Sequence, residues 1–173
     1  IASDSYSIGE LATRRLIDDG CSRILCLRNN SRMRMPANKR TDAYHDVVEQ
    51  AGLPALVREV EFVKSDDEKS AVVAKILDEN PDIDGIFAGD DTMAAICLNV
   101  MKQRGLSAPD DIKVVGADGA RRTMTFMPDL TTVRQDIDRI GELAAQSIIA
   151  LINGDKPESN IKLPVELIEG KTA

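Results

Sequence analysis

With 173 residues, 43% of them hydrophobic and 29% charged, the chain has the size and balance of one α/β domain or a two-lobed piece of one. Aromatic residues make up 3% and Trp is absent, so the core must be built from Leu, Ile, Val, Ala and Met. A net charge of -7 is wrong for a phosphate-binding surface, which needs clustered Lys and Arg, and with no C-x-x-C spacing among the three cysteines and a single histidine, His45, the pattern does not point to a structural zinc site.

In chain order, helix and strand signals alternate. "SYSIGELATRRLIDDG" reads as a helix: Ser7 and Glu10 have capping-box spacing, Ile8, Leu11, Ala12 and Leu16 share a face, and Gly20 closes it. "SRILCL" is a strand, "NKRTDAYHDVVEQAG" a helix with Ala43, Val47 and Val48 inside, and "LVREVEFV" a strand. "DDEKSAVVAKILDENP" is a helix that opens on acids, which suit the positive end of its dipole. "DGIFAG" is a short buried strand, followed by a helix, "DDTMAAICLNVMKQRG", capped by Asp90 or Asp91. "IKVVGA" and "LTTVRQ" are strands joined by a loop, and "DIDRIGELAAQSIIALING" is the longest helix. "IKLPVELIEG" is a final strand, placed at a sheet edge by Pro164. Cys21, Cys26 and Cys97 show no C-x-x-C spacing and read as reduced core residues in a reducing compartment. No apolar run reaches the roughly 20 residues that span a bilayer, and no signal peptide opens at Ile1, so a cytoplasmic location is expected.

Such alternation predicts an α/β fold, a doubly wound parallel sheet with helices on both faces and right-handed crossovers. Ligands then sit beyond the carboxyl ends of the strands. Asp118 lies at such an end and reads either as a ligand-binding carboxylate or as a turn residue with Gly119. Asp90 and Asp91 hold the equivalent place after "GIFAG", as helix caps or ligand contacts. Arg34, Asn38 and Arg40, in "NNSRMRMPANKR", form either a solvated basic loop or a fork of donors for hydroxyl or carboxylate groups. Paired carboxylates alone do not make a glycoside hydrolase, "GADGA" lacks the G-x-G-x-x-G dinucleotide pattern, and His45 stands in no triad signature. A binding module without cofactor or metal is therefore expected rather than an enzyme.

Four stretches stand in the order found in the effector-binding core of the lactose-repressor/galactose-repressor (LacI/GalR) transcription factors: "IGELATRRLIDDGCSRILCL", "RTDAYHDVVEQAGL", "DGIFAGDDTMAAICLNVMKQRGLSAPDDIKVVGADG" and "PDLTTVRQDIDRIGELAAQSIIALINGDKP". Together they cover nearly the whole chain, which resembles that family. The resemblance implies a periplasmic-binding-protein-like fold, mainly the carboxyl-terminal lobe with part of the amino-terminal lobe. Residues 1–19 would be a remnant of the first lobe, 20–132 the second lobe, 133–159 a crossover with a helix returning to the first lobe, and 160–173 a final strand of the second. It also implies that Arg40, opening an Arg-x-x-Gly-aromatic pattern, and Asp118, closing a Gly-aromatic-Asp strand, hold the effector. Arg34 and Asp90 match further effector positions. Phe62 and Phe126 are the candidates for a ring stacked on the ligand. The sequence departs from the family pattern at Cys21, where His is usual, at Ala43 for Gly, at Ala117 for an aromatic and at Gly119 for a second acid.

The function implied is that of an effector-sensing, dimerising core of a transcriptional regulator. Its partners would be a sugar or sugar derivative, a second copy of the chain, and operator DNA only through a helix-turn-helix domain preceding Ile1; no membrane partner is expected. A stand-alone sugar-binding protein of the same fold is the alternative.

Overall fold

The central strands are aliphatic runs with both faces apolar, and most segments between strands are helices with one apolar face. A computed structural model describes residues 1–30, 37–61 and 65–173, and of Ala37 and Asn38 the backbone only. In order it has β1 (Ala2–Ser3), α1 (Ser5–Asp18), β2 (Ile24–Asn30), α2 (Ala37–Gln50), β3 (Leu56–Glu61), α3 (Asp66–Glu79) and β4 (Gly85–Ala88). It continues with α4 (Asp91–Gln103), β5 (Lys113–Asp118), α5 (Arg121–Phe126), β6 (Thr131–Gln135), α6 (Ile137–Ile152), β7 (Lys162–Leu163) and β8 (Val165–Ile168). Six strands make one sheet in the order β3-β2-β4-β5-β6-β8, and β1 and β7 pair in a second, two-stranded sheet. Every pairing in the large sheet is parallel except β6 with β8.

Alternate strand residues serve alternate faces. Leu25, Leu27, Ile86, Ala88 and Val114 pack with Val73 and Leu77 of α3 and Met93, Cys97 and Met101 of α4. Ile24, Cys26, Phe87, Val115, Ala117 and Val133 pack on the other side with Ile8, Ala12 and Leu16 of α1 and Tyr44 and Val48 of α2. Register keeps the two sets apart: Leu25 faces Ile86, which faces Val114, while Cys26 faces Phe87, which faces Val115. Burial on both faces is why these strands read as unbroken aliphatic runs, and each buried Leu, Ile or Val contributes about 1.5–3 kcal/mol. Val114 and Val115 lie on an interior strand, as expected.

Four features refine the expected elements. First, α1 opens at Asp4, whose carboxylate accepts the N–H groups of Tyr6 and Ser7, so the Ser7–Glu10 pairing does not cap it. A capping box does form at Ser65 and Glu68, at the start of α3. Second, α1 packs on the large sheet, with Ile8, Ala12 and Leu16 fully buried against it. Gly9 permits this, since a Cβ there would lie 2.1 Å from the carbonyl oxygen of Arg40, so α1 crosses α2 at backbone contact. Third, the final strand breaks at Pro164, which has no N–H to give a ladder; β7 pairs with β1, and β8 turns antiparallel along β6. Fourth, the segment between β5 and β6 contains the short helix α5.

The tail after β8 returns to the sheet. Thr172 accepts the Val114 N–H through its carbonyl oxygen at 2.7 Å. Its hydroxyl donates to the Val114 carbonyl at 2.7 Å and accepts the Thr131 N–H at 3.0 Å. Helix α6 is different: among the described residues it has none that is buried, and Ile137, Ile148, Ile149, Leu151 and Ile152 are exposed.

Tyr44 ties α2 to the sheet. Its buried hydroxyl donates to the Ile24 carbonyl at 2.7 Å and accepts the Leu56 N–H at 2.8 Å. Tyr44→Phe keeps the ring but leaves a buried donor and acceptor unpaired, and should lower the unfolding free energy by about 1–3 kcal/mol in urea titrations. A loss well under 1 kcal/mol would show that water or a shifted backbone satisfies both groups.

Candidate functional site

Helix α2 carries the chain from β2 out to β3, and the next crossover brings it back past β2 to β4. Connections therefore leave in opposite directions at the β2–β4 boundary, and a crevice opens beyond the strand ends there. The residues at those ends are Asn29 on β2, Gly89 and Asp90 after β4, Asp118 on β5 and Gln135 on β6.

Asp118 ends β5 with φ +107°, a left-handed conformation that L residues seldom adopt and in which Asp is one of the commoner exceptions. Gly119 follows at φ +57°, so close to β6 that a Cβ would lie 2.7 Å from Cα of Arg134. A carboxylate side chain at this position would have no room. Arg40 reaches Asp118 from the first turn of α2: one terminal nitrogen donates to Asp118 Oδ1 at 2.8 Å and the other to the Gly89 carbonyl. Gln135 Nε2 donates to the same Oδ1 at 2.6 Å. Both bonds fall on one oxygen, so Oδ2 keeps its acceptor capacity. Burial pushes the Asp118 carboxyl above its ordinary value, and Arg40 and Gln135 pull it only part of the way back.

Asp90 and Asp91 divide the work that the sequence left open between them. Asp90 is the N-cap of α4: Oδ1 accepts the Met93 N–H at 2.8 Å, and Oδ2 accepts from Asn29 Nδ2. Asp91 points inward and is 3% exposed. Its Oδ2 accepts the Gly119 N–H at 2.8 Å and its Oδ1 the Thr132 hydroxyl at 2.6 Å. Gly116 makes the space, because a Cβ there would stand 2.6 Å from Asp91 Oδ1. Burial raises the Asp91 carboxyl from 3.8 to about 6, with the nearby Asp118 charge acting the same way and the Thr132 and Gly119 hydrogen bonds opposing.

The structure thus brings Arg40, Asp90 and Asp118 to one crevice. Phe126 is not part of it: it ends α5, is 77% exposed, and does not line the hollow of ≈ 740 Å³ that Gly119, Gln135 and Ile137 border beside Asp118. Arg34, Phe62 and the side chain of Asn38 lie outside the described residues. Asn29 and Gln135, absent from the expected set, join it; polar residues closing an otherwise apolar strand were the signal. Two polar atoms here, Arg40 Nε and Asn29 Oδ1, are buried without a hydrogen-bond partner among the described residues. A donor, an acceptor and a half-free carboxylate suit a ligand rich in hydroxyl groups. Among the described residues no group of three or more His, Cys, Asp or Glu is placed to hold a metal, and no helix is long and apolar enough to cross a membrane.

A family profile described as a periplasmic binding protein-like domain matches residues 13–173. The chain is 32% identical to a ribose operon repressor of Halalkalibacterium halodurans over 99% of its own length and 51% of the relative's. A LacI-family transcriptional regulatory protein from Corynebacterium glutamicum superimposes with TM-score 0.87 at 26% identity, over 98% of this chain and 65% of that one. A transcriptional regulator CelR–cellobiose complex gives TM-score 0.85 at 27% identity, over 99% of this chain and 53% of that one. The chain spans about half the length of the ribose operon repressor it matches. It belongs to the periplasmic-binding-protein-like domain family, in the form that makes the core of LacI/GalR regulators. These relatives are transcriptional regulators.

Asp91 makes a pH prediction. Folding raises its pKa, so the folded state holds the proton more tightly than the unfolded chain does. Its contribution is therefore full below the unfolded value of 3.8 and is lost as pH rises through about 6. Asp91→Asn stays neutral, and its amide can donate to Thr132 while its oxygen accepts from Gly119. The stability of wild type relative to Asp91→Asn should fall by about 3 kcal/mol between roughly pH 4 and pH 7 in paired urea titrations. A difference that ignores pH would show Asp91 titrating as it does in water.

Proposed function

We propose that, as a member of this family, the chain senses a sugar or sugar derivative for a cytoplasmic LacI/GalR-type transcriptional regulator. The observation that carries this reading is the Arg40–Asp118 pair at the β2–β4 switch, with Asp118 Oδ2, Arg40 Nε and Asn29 Oδ1 left to serve a ligand. A carboxylate accepts from vicinal hydroxyls, and a guanidinium N–H donates to the oxygen of a neighbouring one. The ribose operon repressor and the cellobiose complex among its relatives support a neutral saccharide as the ligand class.

In this reading the crevice is one wall of a cleft between two lobes, and the other wall belongs to a lobe outside this chain. The regulator binds operator DNA through a helix-turn-helix domain, also outside this chain, and works as a homodimer. The exposed apolar residues of α6 and Phe126 of α5 support packing against further protein. Effector binding acts on Asp118 and, through Gln135, on β6, which leads directly into α6. A ligand that contacts both lobes stabilises one lobe angle over another by its differential affinity, and that difference is what reaches the DNA-binding heads.

Calorimetric titration of the complete regulator with mono- and disaccharides tests this. Asp118→Ala and Arg40→Ala should each weaken binding about tenfold to a hundredfold, the equivalent of about 1.5–3 kcal/mol for a lost charge-assisted hydrogen bond. Unchanged affinity in both variants, with the fold intact by circular dichroism, would move the site off this crevice.

A further inference from the structure

Asp91 stands behind the crevice and touches none of its open faces, yet it is bonded to both segments that shape it. Through Oδ2 it holds the N–H of Gly119, the residue after Asp118. Through Oδ1 it holds the hydroxyl of Thr132, on β6 three residues before Gln135. Asp118 and Gln135 are themselves joined at the surface. Two polar links therefore tie the end of β5 to β6, one exposed to ligand and one buried beneath it.

The turn between them needs such a tie. Asp118 and Gly119 both have positive φ, and Ala120, the N-cap of α5, makes no side-chain cap hydrogen bond. A non-glycine residue persists in that conformation only when its surroundings over-determine it. The buried carboxylate supplies the constraint from below, and Gly116 is kept free of a side chain so that it can do so.

We propose that Asp91 is the positioning residue of the ligand site: by anchoring Gly119 and Thr132 to the start of α4 it sets the direction in which Asp118 presents its free oxygen, and it makes that direction depend on the placement of β6. This rests on the reading of the crevice as the effector site. Asp91 does not touch ligand; it acts through the turn. The charged group facing it is Asp118 on β5, which is faced in turn by Arg40 of α2 and by Asp90, the N-cap of α4, while β6 offers the neutral Thr132 and the start of α5 only backbone amides.

The test compares wild type, Asp91→Ala and Asp91→Asn in the complete regulator, titrated calorimetrically with a panel of neutral saccharides that includes ribose and cellobiose. Asp91→Ala should bind on the order of tenfold more weakly or worse, while Asp91→Asn, which can keep both hydrogen bonds, should stay within about threefold of wild type. Equal affinity of Asp91→Ala and wild type overturns the proposal. Should Asp91→Ala not fold, Thr132→Val removes one of the two anchors: severalfold weaker binding supports the proposal and unchanged binding overturns it. If wild type binds no saccharide, the sugar reading fails separately, and the Gly119 amide in resolved NMR spectra decides the positioning role. Its resonance should be displaced in Asp91→Ala and should move with pH around 6 in wild type but not in Asp91→Asn. A Gly119 resonance alike in all three proteins and indifferent to pH overturns it.

Discussion

The reversal of winding between β2 and β4 is the constraint on which the site depends. Helices cover both faces of the sheet, and on either side of this boundary they run away from it. The strand ends are left open where they carry polar residues, and five separate segments deliver side chains to one place without any of them being a long loop. Rigidity follows from this origin. Arg40 stands on a helix whose backbone is pressed against Gly9 of α1, and Asp118 ends a strand that is buried on both faces.

Charge is handled by the same arrangement. A half-buried guanidinium and a half-buried carboxylate would each be costly alone, and pairing them offsets part of that cost while leaving hydrogen-bonding capacity over. The pair is not a closed salt bridge: Arg40 gives one terminal nitrogen to a backbone carbonyl, and Asp118 shares its bonded oxygen with Gln135. Asp118 Oδ2 can accept a further hydrogen bond without breaking either contact.

Much of this was legible in the sequence, and the exceptions have physical reasons. Strands buried on both faces announce themselves as aliphatic runs, and the glycine that closes α2, Gly52, has the positive φ that its position suggests. Asp90 and Asp118 could be picked out because they are acids at the ends of buried strands, and Arg40 because it opens the pattern shared with the family. The cap of α1 was misplaced because Asp4 and Ser7 are both good caps, and only the chain's entry from β1 selects Asp4. The packing of α1 was not legible because an apolar face does not say which sheet it covers. Asp91 was hidden for a related reason: beside Asp90 it looks like a spare cap, and its partners, Gly119 and Thr132, are 28 and 41 residues away. The clue lay in two other places, a glycine inside "VVGAD" and a hydroxyl pair inside "LTTV", both odd in buried strands.

The antiparallel strand β8 has a consequence for how the molecule is made. It is the last strand of the large sheet in chain order, and the tail behind it supplies the Thr172 contacts to Val114 and Thr131. During synthesis, β2 to β6 emerge and can pair well before β8 does, so the outer edge of β6 stands open in the meantime. An open edge is a template for another chain. The nascent protein thus passes through an interval in which the strand next to the crevice is open to mispairing. Residues 165–173 end that interval, closing the edge from outside and stitching it to β5 from behind.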